Sequence, residues 1–483
     1  MSGAAWLHGA IGLAVAGSLA YTLLLYVLVL ALLLLSAREH RRRDRLRGGG
    51  GDDGTAPSRL ALPVSVVATA YNEETMVLAS VRSLLAQDYL EFELILVNDG
   101  STDRTLEILT REYALLPRVA LYRKLLPSRM VGDVCYTSAT DKRLTVVCKE
   151  NGGNKADAMN CGINFARYPY LCSVDGDTVY HGDALRSAMA PVKLAPDEVV
   201  GVTSFFGISR TPEAPDLDGA GLRAAEQHLL SCFQHLDLMR SFVAFRLGWA
   251  RLGCMMCNPG GFAIWRRDAV VELGGFSNAF SCEDIELTFR VHEKFRREGR
   301  PYRIVSLPGL IARTEGPDRP SGLMRQRARW QKVVLEVVWH YRGMLLRPRY
   351  GSVGMLALPY FVLFEALAPL VQLFSLLALA AAAALGVVDW VAYAALLGVT
   401  AFAGAIPTTV ALALHDAGYR DYRPRALLRM LLLGPLDLLL YRPLIILAGL
   451  RGTVQFLKGD RGWDKFARNV RRDGAAGAPA EGN

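Results

Sequence analysis

LPVSVVATAYNEETMVLASVRSLLAQDYLEFELILVNDGSTD, Leu62 to Asp103, is the stretch on which the fold turns. Two short runs rich in β-branched and aliphatic residues, Leu62 to Ala70 and Phe92 to Asn98, flank a segment near Met76 to Gln87 whose apolar residues recur at helical period. Strand, helix and strand in that order form a crossover unit, and a crossover joins parallel strands. The alternation continues through a strand at Leu144 to Cys148, a helix from Lys155 to Ala166 and a strand at Tyr170 to Val174. An α/β domain follows. Open α/β sheets bind ligands beyond the carboxyl ends of their strands, and that rule points to Tyr71, Asp99 and Asp175.

Outside this domain the chain changes character. Of its 483 residues 52% are hydrophobic, more than a soluble enzyme needs, while 21% are charged and concentrate between Arg38 and Arg349. Ile11 to Ala37 carries no charge for longer than the roughly 20 residues a bilayer requires, and it ends in an Arg-rich run. It reads as a spanning helix; a signal peptide would be shorter and would begin with positive charge. The positive-inside rule puts Met1 outside and the residues after Arg38 in the cytoplasm. Gly48 to Ser58, GGGGDDGTAPS, reads as a flexible linker.

After Arg349 three apolar blocks follow, Val353 to Val388, Trp390 to Leu414 and Leu427 to Leu450. Three crossings would leave the basic tail from Arg451 outside, against the charge rule, so one block is expected not to be a simple span. Pro359 and Pro369 can split the first; Pro435, Asp437 and Pro443 can make the last re-entrant or interfacial, and this second reading is preferred. The expected organisation is a membrane helix over 1–37, a basic linker over 38–60, a cytoplasmic domain over 61–318, an amphipathic interface helix over 319–350, membrane or re-entrant helices over 351–450 and a basic tail over 451–483.

Lys and Arg outnumber Asp and Glu by 55 to 46, and eight of the nine excess charges lie in Arg38 to Arg47 and Arg451 to Asp473. They flank apolar segments, as juxtamembrane charge does, so no nucleic-acid partner is called for. All eight cysteines fall in the central domain and read as reduced thiols; the lone CxxC of Cys254 and Cys257 lacks a second pair and fits burial better than zinc or redox work.

Four further stretches carry candidate chemistry. In YLCSVDGD a strand delivers Asp175 and Asp177 to one loop tip, where their repulsion suits a hard divalent cation, Mg²⁺ or Mn²⁺, completed by a substrate's phosphates. ENGGNKADAMN places Lys155 at the head of a helix behind a Gly-rich loop, a phosphate-binding arrangement that is neither a Walker A loop nor GxGxxG. SCEDIELTFR opens a helix running to Glu298: Glu283 and Asp284 suit its positive end, and Asp284 is also placed to act as a general base. MRQRARWQKV puts Arg325, Arg329 and Lys332 at helical spacing, with Trp330 and Trp339 fit for a membrane interface.

Together TAYNEE, VNDGSTD, ENGGNKADAMN, VDGD, SCEDIEL and QRARW, in this order, resemble the membrane-embedded, inverting family-two glycosyltransferases, the group containing cellulose, chitin, hyaluronan and poly-N-acetylglucosamine synthases. The resemblance implies a GT-A nucleotide-sugar domain between N-terminal and C-terminal membrane helices. It implies that Tyr71, Glu73 and Asp99 hold the uridine, that Lys155 approaches the diphosphate, and that Asp175 and Asp177 form the metal-linked DxD. It makes Asp284 the base of an ED pair with Glu283. Gln326, Arg329 and Trp330 match QxxRW at the acceptor and diphosphate end, and NPGGFAIWR brings Gly260 and Gly261 to the acceptor loop. The reaction implied is inverting transfer from a UDP-sugar to a growing β-linked glycan coupled to export, in a multi-pass protein of the cell membrane. Non-processive transfer of a single sugar to a lipid carrier or lipid acceptor is the close alternative, and a catalytically silent scaffold or nucleotide-sensing subunit of an export complex the third. An export or regulatory subunit is a possible partner.

Overall fold

The computed structural model describes residues 3–48, 61–129, 134–209, 228–386, 390–419 and 422–460; most of the expected linker, and the tail beyond 460, lie outside them. One ten-stranded sheet organises the central domain. Its strands are β1 (Val64–Ala70), β2 (Phe92–Asp99), β3 (Leu115–Val119), β4 (Val134–Ser138), β5 (Leu144–Lys149), β6 (Tyr170–Asp175), β7 (Thr178–Tyr180), β8 (Val199–Ser209), β9 (Phe262–Arg266) and β10 (Arg303–Glu315), in the order β3-β4-β5-β2-β1-β6-β9-β8-β10-β7. β5, β2, β1 and β6 are parallel, as the crossover reading requires. The sheet as a whole is mixed, however, because β9 runs antiparallel to both β6 and β8. The chain between β8 and β9 makes a helical excursion and returns to the end of the sheet it left, so no crossover separates the two strands.

β1 and β2 are buried almost throughout, which explains why their sequences read as continuous apolar runs rather than alternating ones. β1 has β2 on one side and β6 on the other. The chain order therefore reverses at β1, and the pairings Ala70 with Asn98 and Thr69 with Asp175 bring Tyr71, Asp99 and Asp175 to one edge.

The N-terminal helix runs from Gly3 to Gly48, so the basic run expected as linker from 38 is helical. Arginine is a good helix former, and Glu39 pairs with Arg43 at 3.0 Å and with Arg42 at 3.7 Å along one face. Ser36 Oγ donates to the Ala244 carbonyl at 2.6 Å and ties this helix to the domain. Among the described residues, Gly9–Arg43 and Pro424–Leu457 are long and apolar enough to cross a membrane, and Val353–Ala366 with Ala368–Ala384 forms a further pair bent by 48°. Trp390–Tyr419 is a 30-residue helix between them.

The break preferred for the last apolar block thus lies in the first. Pro369 cannot donate to the preceding turn, and the chain ahead of it is already wound into π-helical turns at Val353–Ala357 and Phe361–Ala366. Pro443 instead occupies the opening turn of Arg442–Leu457, where no donor is needed.

The helix Glu283–Arg297 backs the site, with three acids in its first turn and Lys294, Arg296 and Arg297 in its last, as the helix dipole favours. Ile285, Leu287, Phe289, Val291 and Phe295 form its buried face. His292 lies among them; its Nε2 donates to the Met255 carbonyl at 2.8 Å and its Nδ1 accepts from Tyr302. Burial pushes this imidazole down to about 4. The folded state therefore holds the ring neutral while the unfolded chain protonates it near pH 6.5. Stability falls as pH drops from about 6.5 towards 4 and levels off below. His292→Gln, which keeps a donor for Met255, is expected to flatten that part of the profile, as checked by thermal unfolding at pH 7 and pH 4.5.

Candidate active site

β6 ends at Asp175 and turns through Gly176 and Asp177 into β7. Gly176 N donates to the Thr69 carbonyl at 3.1 Å, and a Cβ at this position would stand 2.6 Å from that same oxygen. Only glycine lets the turn close on β1. Gly176→Ala is expected to cost about 1–3 kcal/mol through overpacking, read as a lowered melting temperature. Across the turn the Tyr180 hydroxyl accepts from Asp175 N at 3.1 Å and donates to the Gly261 carbonyl at 2.9 Å, locking the acidic tip to the loop before β9.

Lys155 begins its helix directly after Asn154, whose side chain accepts from Ala156 N at 2.7 Å and so caps it. The Lys155 ammonium reaches Asp175 Oδ1 at 2.5 Å, the Gly260 carbonyl at 3.2 Å and Glu283 Oε1 at 3.5 Å. Burial alone would lower its pKa, but Asp175 and Glu283 outweigh that and hold it above the usual lysine range. A Cβ on Gly260 would stand 3.0 Å from Lys155 Nζ and 3.3 Å from Glu283 Oε1, so a larger residue there would press on both charged side chains.

Asp177 is pushed up to about 6, first by burial and then by the charge of Asp175. Two carboxylates on one loop tip fit a hard divalent cation, which prefers oxygen ligands. Among the described residues no three His, Cys, Asp or Glu side chains converge to hold an ion by themselves. A cation held by Asp175 and Asp177 would therefore need further ligands from a bound molecule or from water.

Asp284 is the most firmly oriented of these acids. It accepts from Gly260 N at 2.7 Å, from Ile285 N at 2.6 Å and from the Cys282 thiol at 3.1 Å. Its neighbour Glu283 is raised by burial, against the opposing charge of Lys155.

On the other side of Lys155, Asp99 is only 4% exposed and pairs with Lys149 at 2.5 Å. Lys149 also pairs with Asp157 at 2.7 Å. Lys149 was not legible as a site residue, because a lysine within an apolar strand carries no motif; its last-residue position on β5, beside Asp99 in register, was the available signal. Glu73 is buried, and its backbone N donates to Thr105 Oγ1 at 2.9 Å.

Gln326, Arg329 and Trp330 lie on the helix Pro320–His340 and face the same cavity as Tyr71, Glu73, Asp99, Lys155, Asp175, Asp177, Gly260, Gly261, Glu283 and Asp284, a space of about 2960 Å³. All the candidate catalytic, nucleotide, metal and acceptor residues are thus brought to one cleft. Arg327, between Gln326 and Arg329, is a variable position of the motif and carries no signal of its own. Its guanidinium lies 4.3 Å from the Trp330 ring centre and pairs with Asp237 at 2.7 Å. Asp237 pairs with Arg240 at 3.0 Å, Arg240 with Asp437 at 3.2 Å, and Asp437 with Arg442 at 2.9 Å. This chain of charges joins the QxxRW helix to the last apolar block, and Asp437, which interrupts that block, was its one visible sign. The eight cysteines are free thiols.

Over residues 62–332 the chain matches the family described as Glycosyltransferase like family 2. It is 24% identical over 303 residues to the poly-beta-1,6-N-acetyl-D-glucosamine synthase of Staphylococcus aureus strain COL, covering 62% of this chain and 60% of that protein. It is also 24% identical over 306 residues to the same-named synthase of Staphylococcus epidermidis, covering 63% and 61%. The chain thus matches about three fifths of the length of these relatives. Its fold is similar to that of a mannosyltransferase from Pyrobaculum calidifontis solved with GDP-Man and Mn²⁺, with a TM-score of 0.56 at 18% identity over 94% of this chain and 99% of that one. With the GT-A sheet, the acidic tip on β6 and the family match over more than half its length, the chain belongs to the family-two glycosyltransferases.

Proposed function

We propose that this protein transfers a sugar from a UDP-sugar, with inversion, to a growing β-linked glycan at the cytoplasmic face of the cell membrane, and passes the product outward. The observation that carries this reading is the convergence of Lys155, Asp175, Glu283 and Asp284 around one point at the carboxyl edge of the sheet. Tyr71, Glu73 and Asp99 stand at the nucleoside end, and Lys155 faces the diphosphate. Asp175 and Asp177 would hold Mg²⁺ or Mn²⁺, which supplies charge neutralisation for the departing diphosphate. Asp284, fixed by three donors, takes the proton from the acceptor hydroxyl as its oxygen attacks the anomeric carbon. One displacement inverts an α-linked donor to a β-linkage, with no second carboxylate needed as nucleophile. Gln326, Arg329 and Trp330 line the acceptor end.

The export part of the reading is supported by the reach of the cavity. It continues from Asp284 past Ser18, Tyr21 and Thr22 of the N-terminal helix to Gln372, Ser375 and Thr400 of the C-terminal helices. These polar side chains stand on helices that are otherwise apolar, as a hydrated path for a glycan requires. The arginines at the carboxyl end of the first helix support an orientation with the catalytic domain inside.

The test is a donor panel on the full chain in lipid nanodiscs with Mn²⁺ or Mg²⁺, scored by nucleotide release and product mass. Oligomeric product from a UDP-sugar is expected. A single sugar on lipid would replace polymerisation by the lipid-acceptor reading, and no nucleotide release with any donor would favour a silent subunit.

A further inference from the structure

Arg246 ends the π-helical turn Arg240–Arg246 and takes no part in the ion-pair chain described above. A π turn shifts the helical register and re-aims the side chains it carries, and such turns recur at functional sites. The guanidinium carbon lies 4.0 Å from the Phe242 ring centre, which fixes the plane of the group. Its Nη1 is buried and has no hydrogen-bond partner.

An arginine N–H left in that state costs free energy unless an acceptor comes to it. The acids of the neighbouring network are already engaged, Asp237 by Arg327 and Arg240, Asp437 by Arg240 and Arg442. Phe242, under the guanidinium, packs edge-on against Phe206 with ring centres 4.7 Å apart, Phe206 borders Gly261, and the adjoining Gly260 N donates to Asp284; Arg246, Gly261 and Asp284 line one cavity. Through Phe242 and Phe206, Arg246 stands behind the loop that holds the base. The carboxylate of Asp284, whose field reaches Arg246, also disfavours an anionic ligand at this wall. A neutral oxygen acceptor suits the position.

We propose that Arg246 is an acceptor-binding residue: its N–H groups donate to a non-reacting oxygen, hydroxyl or acetamido carbonyl, of the sugar that presents its attacking hydroxyl to Asp284. The Phe242 ring holds the guanidinium plane, and the bound sugar oxygen supplies the partner that the buried Nη1 lacks. The contact sets where the attacking oxygen stands relative to the base, which is the term that proximity contributes to the rate. This inference rests on the transfer reading above.

The experiment measures initial rates on the full chain in nanodiscs with UDP-N-acetylglucosamine, Mn²⁺ and a β-1,6-linked N-acetylglucosamine tetrasaccharide, varying donor and acceptor separately. Arg246→Gln is expected to raise the half-saturating acceptor concentration about tenfold or more while the donor value moves by less than about twofold. Arg246→Lys, which keeps the charge but loses the planar fork, is expected to fall between, and its acceptor-to-donor ratio is read if the glutamine variant does not accumulate. Equal shifts in the two values, or no shift in either, overturn the assignment. Wild-type protein that releases no nucleotide with any donor of the panel above overturns the transfer reading itself, and this inference with it.

Discussion

Asp284→Asn is expected to lower the transfer rate at least about a hundredfold while leaving donor affinity within about threefold, the pattern of a lost general base. Asparagine matches the shape of the carboxylate and still offers one oxygen to Gly260 N or Ile285 N, so the loop and helix start keep their geometry. In the proposed reading donor binding draws on Lys155, Asp175 and the strand ends, which the substitution does not touch. Glu283 is the neighbouring alternative, but its carboxyl lies 3.5 Å from Lys155 and is held as the counter-charge of that ammonium rather than turned to an acceptor. Single-turnover nucleotide release, beside a titration of donor binding, separates the two effects. Near-normal turnover in Asp284→Asn would remove Asp284 from the mechanism.

The strands that build this site were legible because their information is local. Runs such as VSVVATA and FELILVND are buried on both faces, and the residue that follows such a run at a carboxyl edge is exposed to ligand by topology alone. Lys155 and Asp284 were legible for a related reason, since each opens a helix and helix starts carry recognisable residues. What the sequence left hidden is non-local. That β9 enters antiparallel depends on where a long excursion returns. That Lys149 meets Asp99 depends on register between β5 and β2, and that Arg327 meets Asp237 depends on how two helices pack. The basic run after the first membrane helix misled for a further reason. Charge signals solvent and topology, but it does not break a helix, and the described helix runs through the arginines to Gly48.

The second large effect concerns that hidden network. Asp237→Ala is expected to destabilise the folded protein by roughly 3–5 kcal/mol, the range for removing one partner of a buried pair. Asp237 lies between Arg327 and Arg240, and its loss leaves two arginines facing each other in a largely buried setting. Burial by itself would raise the Asp237 pKa, yet Arg327 and Arg240 outweigh it and hold the carboxyl well below its usual range. Its contribution is therefore full above the unfolded-state value near 4 and is lost as pH falls below that. Between pH 7 and pH 5 it stays constant, whereas the His292 contribution changes over the same interval. Thermal unfolding in nanodiscs reads the loss, and Asp237→Leu combined with Arg327→Met and Arg240→Met is expected to be less harmful than Asp237→Ala alone, because no unpaired charge of that triad remains.

A single displacement at the anomeric carbon, driven by one fixed carboxylate beside a bound diphosphate, is the step on which the proposed chemistry depends. The anomeric configuration of the first sugar transferred from an α-linked UDP donor, read from the one-bond carbon–proton coupling of isotopically labelled product, tests it directly. A β-linked product is the expected result. An α-linked product would require a second displacement or a front-face path, and would contradict the role of Asp284 as the base of a single inverting step.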